Sequence, residues 1–199
     1  MGHTPAPLDI LTPQGYLSEI QDSPNLDVLM NLFKIPRAFT VSGFGNWNVG
    51  QHSFCTAFLA LYWSRFRGYD EEKRNELIVL AMTHDLHESA TGDILPGLKN
   101  KELRLRLDQI QETFLIGLGV HENQALKTDL KILDIIAFMY EIQQAQTLNV
   151  SQKSRLDAFL IKQWEWLTDY CEENKIAGID DFLKQLRIFH QESNAEENT

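Results

Sequence analysis

Cysteine is scarce in this chain: Cys55 and Cys171 are the only two, far apart and without ligand spacing such as C-x-x-C. That argues against a disulfide-built secreted fold and against a thiolate metal site, and each reads as a small core residue. No apolar run approaches the roughly 18 residues of a membrane span. Met1 to Asp9 has neither a basic n-region nor an apolar h-region, so no signal peptide is read there and the expected location is the cytoplasm. Positive charge is also in deficit, with 18 Lys and Arg against 28 Asp and Glu, a formal charge of −10. A protein holding a long stretch of nucleic acid needs a basic surface, so that partner is not expected. A small anionic ligand in one locally positive pocket remains open. Strand-type alternation, internal repeats and low-complexity tracts are missing as well.

What is present is helical periodicity over a length of 199 residues, enough for one domain with a sizeable core. Residues 1–13, with Pro5, Pro7 and Pro13, read as a loose arm, and 191–199 as a polar tail; 14–190 form the domain. Leu17, Ile20, Leu29, Leu32 and Phe33 give a moderate helical signal, broken at Ser23-Pro24. Residues 34–50 carry Pro36, Gly43, Gly45 and Gly50 and read as a long loop. From Val49, Phe54, Phe58, Leu61 and Tyr62 fall at helical spacing up to Gly68. Asp70 is placed to cap the next helix, whose inner face is Leu77, Leu80, Ala81 and His84, and Gly92, Pro96 and Gly97 break it. Further helices are expected from about Asn100 to Leu118, Asp129 to Thr147, Ser151 to Tyr170 and Ile179 to Phe189. The fold class is therefore all-α, a single compact bundle.

The chemistry concentrates in Thr83-His84-Asp85-Leu86-His87-Glu88 and Thr91-Gly92-Asp93-Ile94-Leu95-Pro96. An adjacent imidazole and carboxylate can both reach one cation, but two residues cannot complete a site. His52 and Asp134, on other helices, would make two imidazoles and two carboxylates. That mixed set suits Mn, Fe, Co, Ni, Zn or Mg and leaves coordination positions for water and a substrate oxygen. Asp134 sits between Leu133 and Ile135, where an unpaired carboxylate is costly to bury. The alternative is a solvent-facing Asp134 on the polar side with Lys127, Lys131 and Glu141. Glu88 follows His84 at i+4, on one helical face, where a carboxylate can orient or deprotonate an attacking water; its alternative is a surface glutamate. The order H-x-x-H-E matches neither H-E-x-x-H nor H-x-x-E-H, which argues against a zincin-type protease.

Together these residues resemble the HD superfamily of metal-dependent phosphohydrolases, with its pattern H…HD…D. Asn48-Val49-Gly50-Gln51-His52-Ser53 is similar to the N-V-S/A-E-H-S segment of bacterial 5′-deoxynucleotidases. The run from His84 to Pro96 is similar to their H-D-x-x-E-x-x-T-G-D-x-P stretch, and Lys131-Ile132-Leu133-Asp134 to their K-x-A-D segment. The resemblance spans about residues 30–145. It implies an HD-domain helical bundle with His52, His84, Asp85 and Asp134 as ligands of one divalent metal ion (Co, Mn or Mg first, then Fe, Ni or Zn). It implies that Glu88 activates water, that Arg37 reaches the phosphate and that Asp93 contacts sugar hydroxyls. Lys131 or Lys99 would add positive charge, or be ordinary surface lysines. The implied substrate is a nucleotide, either a deoxynucleoside mono-, di- or triphosphate or a modified one, as in an oxetanocin-A-like antibiotic pathway; a homodimer is compatible with it. Departures cluster in the pocket wall. Ala38 stands where an aromatic residue usually follows the arginine, with Phe39 or Trp47 as replacements, and Gln51 replaces an acid. A non-catalytic nucleotide or metal sensor on the same fold is the competing reading, which a missing ligand would have favoured.

Overall fold

A computed structural model describes residues 26–38 and 43–188. The expected N-terminal arm, Leu17, Ile20, Phe39 and the C-terminal tail lie outside the described residues. Among those described, the elements are α1 (Leu26–Met30), α2 (Val49–Phe66), α3 (Glu71–Thr83), α4 (Glu88–Thr91), α5 (Lys101–Leu118), α6 (Lys127–Leu148), α7 (Lys153–Glu173) and α8 (Ile179–Leu186), with short 3₁₀ turns between. No strand accompanies them there; one isolated antiparallel bridge pairs Pro36 with Asn48.

Caps set the helix starts. The Asn48 side chain accepts from the Gln51 amide and the Gln51 side chain accepts from the Asn48 amide, a reciprocal box that begins α2. Asp70 and Asn100 accept from the amides of Lys73 and Leu103 and so open α3 and α5. Gly119, in the left-handed region, closes α5. These boundaries follow the side-chain signals closely.

Two features differ from expectation. Helix α3 ends at Thr83, well before the glycine-proline breakers, and a tight turn separates it from α4. Leu86 and Glu88 donate to carbonyls three residues back, those of Thr83 and Asp85, so His84 and Glu88 are not on one continuous helix. The second difference is the orientation of α2. Phe54, Phe58, Leu61 and Tyr62 are exposed, while Val49, His52, Thr56, Ala60, Trp63 and Ser64 are buried.

Helix α2 packs against α3 and α6, and α6 against α7. Their shared core is built from Ala60, Trp63, Leu77, Ile132, Ile136, Met139, Leu156 and Leu167, closed at one end by Phe182 of α8. A smaller cluster of Leu32, Val49, Leu86, Phe114 and Leu115 ties the first turn, the start of α2, the 84–87 turn and α5 together. Leu86 therefore anchors the turn that carries His84 and Asp85. At Gly50 the backbone runs against the Phe33 ring so closely that a Cβ would lie 2.6 Å from it. Only glycine fits there without displacing the ring.

Candidate metal centre

Helix α2 and the turn that follows α3 bring His52, His84 and Asp85 together, with one donor atom of each lying within 4.8 Å of the others. Asp134, from α6, joins them: its Oδ1 is 3.0 Å from His52 Nε2 and 3.9 Å from His84 Nε2. Asp85 Oδ2 is 3.2 Å from His84 Nε2 and 3.9 Å from His52 Nε2. The solvent-facing alternative for Asp134 does not hold, since the residue is half-buried at the cluster and receives Lys131 Nζ at 2.8 Å.

The ring protons can be assigned from acceptor-only partners. His84 Nδ1 donates to the Ala81 carbonyl at 2.8 Å, and His52 Nδ1 donates to Glu141 Oε1 at 2.6 Å. In a neutral ring each Nε2 then presents a lone pair, and both lone pairs face carboxylate oxygens. His84 Nε2 is buried and has no hydrogen-bond partner. Such facing lone pairs repel unless a second proton charges the rings or a cation sits among them. The donor set therefore fits a divalent ion of nitrogen and oxygen preference.

The electrostatics express the same demand. Burial and Arg37 disfavour a charged His52, yet Glu141 and Asp134 outweigh them and its pKa is raised. Burial likewise opposes charge on His84, and Asp85 with Asp134 overrides it, again raising the pKa. Burial would raise Asp85, but His84, Arg37 and His52 hold it well below the usual carboxylate range. Asp134 is held down against burial by His52 and Lys131. Glu88 goes the other way. Burial and then the neighbouring charges of Asp85 and Asp93 push it up to about 9, against the pull of Arg37 and Lys99. Its Oε2 is buried without a partner, and its Oε1 is 4.0 Å from Lys99 Nζ.

Arg37 is aimed at this centre by the loop before α2. Its amide donates to the Trp47 carbonyl and Val49 donates to Ile35, holding the loop flat against the helix start. The guanidinium donates to Asp85 Oδ2 at 3.2 Å and lies 3.5 Å from Glu141 Oε2. Asp93 Oδ2 accepts from the Ala38 amide at 3.1 Å, so it pins a buried alanine held at φ 47°. Asp93 thus braces the Arg37 loop while also lining the cavity beside it.

That cavity, of about 1010 Å³, is lined by Arg37, Ala38, Asp85, Glu88, Asp93 and Asp134 on the centre's side. Its remaining wall includes Phe138, Phe159 and Trp166. Trp47 packs edge-on against Tyr140 and does not line it, so it does not replace the aromatic residue expected at position 38.

Sequence reasoning missed two residues that hold the ligand-bearing elements. Glu141 is fully buried, and its two oxygens face His52 and Arg37. Its spacing of i+7 from Asp134 puts both on one face of α6, a signal that could have found it. Gln111 of α5 donates to the Thr83 carbonyl at 2.6 Å and accepts from the His87 amide at 3.0 Å, bracketing the His84-Asp85 turn.

The profile of the HD domain family matches residues 31–175, more than half of the chain. No curated protein matches it in sequence. Among solved structures, the chain is similar to an HD phosphohydrolase of cyanophage S-2L (DatZ), solved bound to dA and one catalytic Zn²⁺ ion. The TM-score is 0.52 at 17% identity, over 73% of this chain and 97% of that one.

Proposed function

The chain belongs to the HD domain family, and from that premise we propose that it is a metal-dependent phosphohydrolase that removes phosphate from nucleotides. The observation that carries the reading is the pair of imidazole lone pairs facing Asp85 and Asp134, with the buried Glu88 carboxyl and an arginine beside them. His52, His84, Asp85 and Asp134 would hold one divalent ion. When bound, such an ion supplies Lewis-acid polarisation of a phosphoryl oxygen and makes water more acidic.

The side chains divide the remaining work. Arg37 offers its guanidinium to the phosphate oxygens in a planar, charge-assisted contact, and Glu141 and Asp85 hold it in place. Glu88 serves at its free Oε2 as the group that accepts a proton from the attacking water as the P–O bond to the leaving group breaks. Added positive charge at the centre lowers its pKa from about 9 and frees it for that role. Glu141 fixes the His52 tautomer through Nδ1, which keeps Nε2 available as a ligand. The ring-bearing wall of the cavity suits a base, as does the dA bound by the phage relative.

The test is phosphate release by purified protein across nucleoside phosphates with Co²⁺, Mn²⁺, Mg²⁺ and Zn²⁺. Glu88→Ala is expected to lose activity by about 10²–10⁴-fold, the usual worth of a general base. A variant as active as the parent would overturn the mechanism. Nucleotide binding without turnover under any metal would turn the reading to a sensor.

A further inference from the structure

Helices α3 and α4 are separated only by residues 84–87, and two of the metal-centre residues, His84 and Asp85, lie in that gap. Along a regular α-helix the Thr83 carbonyl would accept from the His87 amide, one turn further on. Among the described residues that bond is not made. The Gln111 side chain stands in its place: Nε2 donates to the Thr83 carbonyl at 2.6 Å, and Oε1 accepts from the His87 amide at 3.0 Å. One side-chain amide is thus inserted between the donor and the acceptor of a single helical bond, which breaks the helix there.

The inserted side chain is held from its own helix. Gln111 lies on the inner face of α5, with buried Leu107, Phe114 and Leu115 a turn to either side. Phe114 and Leu115 pack with Leu86 of the same turn. That packing sets the gap between α5 and the turn, and a glutamine spans it. An asparagine, one methylene shorter, would not reach both groups.

The opening has consequences for the ligands. A helix continued past Thr83 would direct the Asp85 amide to the Ala81 carbonyl. Instead that carbonyl receives His84 Nδ1 at 2.8 Å, which leaves Nε2 for the centre. Successive side chains on a regular helix diverge by about 100°. Here His84 Nε2 and Asp85 Oδ2 converge to 3.2 Å. The chain then restarts as α4, with the Glu88 amide on the Asp85 carbonyl, and Glu88 lines the same cavity as Asp85.

Resting on the metal-centre reading above, we infer that Gln111 is a positioning residue. Its amide holds the 84–87 turn out of helical register and so aims His84, Asp85 and Glu88 at one ion. It acts through the backbone of the turn and takes no part in bond breaking.

Two variants of the full chain test this. Gln111→Met keeps the length and removes both hydrogen bonds, while Gln111→Glu keeps the acceptor and removes the donor. By NMR of labelled protein, the His87 amide nitrogen should couple across its hydrogen bond to the Gln111 side-chain carbonyl carbon. In Gln111→Met it should couple to the Thr83 carbonyl carbon instead. Competition with a chromophoric chelator for Co²⁺ should show affinity lowered by about 10–100-fold in Gln111→Met. Gln111→Glu should lose less, but at least about threefold. Gln109→Ala, exposed on the same helix, should leave both readings as in the parent. A merely structural glutamine would lower the melting midpoint without changing the Co²⁺ affinity of the folded protein.

A His87 amide coupled to Thr83 in the parent would overturn the inference, as would parent-like Co²⁺ affinity in the folded variants. Should Gln111→Met fail to fold, Gln111→Glu carries the same test. A parent that takes up no divalent ion would overturn the centre and this role with it. Weakened Co²⁺ binding in the variants, with no phosphate released from any nucleotide by the parent, would keep the role of Gln111 and sink the hydrolase reading.

Discussion

The face of α2 that turns inward carries His52, Ser53, Thr56 and Ser64, set among Ala57, Ala60 and Trp63. The face that turns outward carries Phe54, Phe58, Leu61 and Tyr62, with the Phe54 and Phe58 rings packed edge to face at 4.9 Å. An amphipathic helix would orient these sets the other way. Here the polar residues go inside because His52 has two carboxylate partners waiting on α6, and Thr56 donates to the His52 carbonyl. Buried polarity is tolerated where partners are built for it, so the inward face is specified by its hydrogen bonds as much as by its apolar atoms.

If that contrast is right, the inward face should be sensitive and the outward one permissive. Trp63→Ala is expected to cost about 3–5 kcal/mol by denaturant titration. It opens the core against Phe182 and Phe66 and removes the indole donor of buried Asp129. A loss below about 1 kcal/mol would break the comparison. Glu141→Gln should lower metal affinity by about 10–100-fold in a chelator competition, because a neutral amide leaves His52 less basic.

The charge inside should also give the metal-free protein a characteristic pH response. Glu88, pushed up to about 9, and His52 and His84, both raised, bind protons more readily in the folded chain than in the unfolded one. Their stabilisation is complete below the unfolded pKa values and is lost as pH rises through the folded ones. Asp85 and Asp134 are depressed and contribute with the opposite sign, but only as pH falls below the ordinary carboxylate range. The urea midpoint of metal-free protein should therefore decline from about pH 5 to about pH 9. Glu88→Gln should flatten that decline by at most about 1.4 kcal/mol per pH unit. A midpoint that climbs across the window would contradict the assignment. The smallest effect belongs to the outward face, where Phe58→Ala should stay within about 0.5 kcal/mol of the parent.

Helices were legible because their caps and breaks are local chemistry: Asn48, Asp70, Asn100 and Gly119 act within a few residues of themselves. His52, His84, Asp85 and Asp134 were legible as a set through resemblance, and they do converge. The early end of α3 was not, because it depends on Gln111 bracketing Thr83 and His87 and on Leu86 entering a hydrophobic cluster, both contacts distant in sequence. Glu141 was passed over as one more charge on a polar side, although its register with Asp134 was visible. The direction of α2 depended on α6, and periodicity within one helix carries no information about its neighbour.

The close approach of Phe33 to Gly50 makes those two positions a matched pair. The 5′-deoxynucleotidase pattern has serine or alanine where Gly50 stands, so a return to that pattern here forces the ring off α2. Phe33 immediately precedes Lys34, Ile35 and Pro36, the residues that lead into the bridge behind Arg37. A single added methyl group at position 50 would therefore reach the arginine through only three intervening residues of backbone. Variation at 33 and 50 is expected to be reciprocal, and chimeras that exchange one position without the other would inherit a misplaced loop.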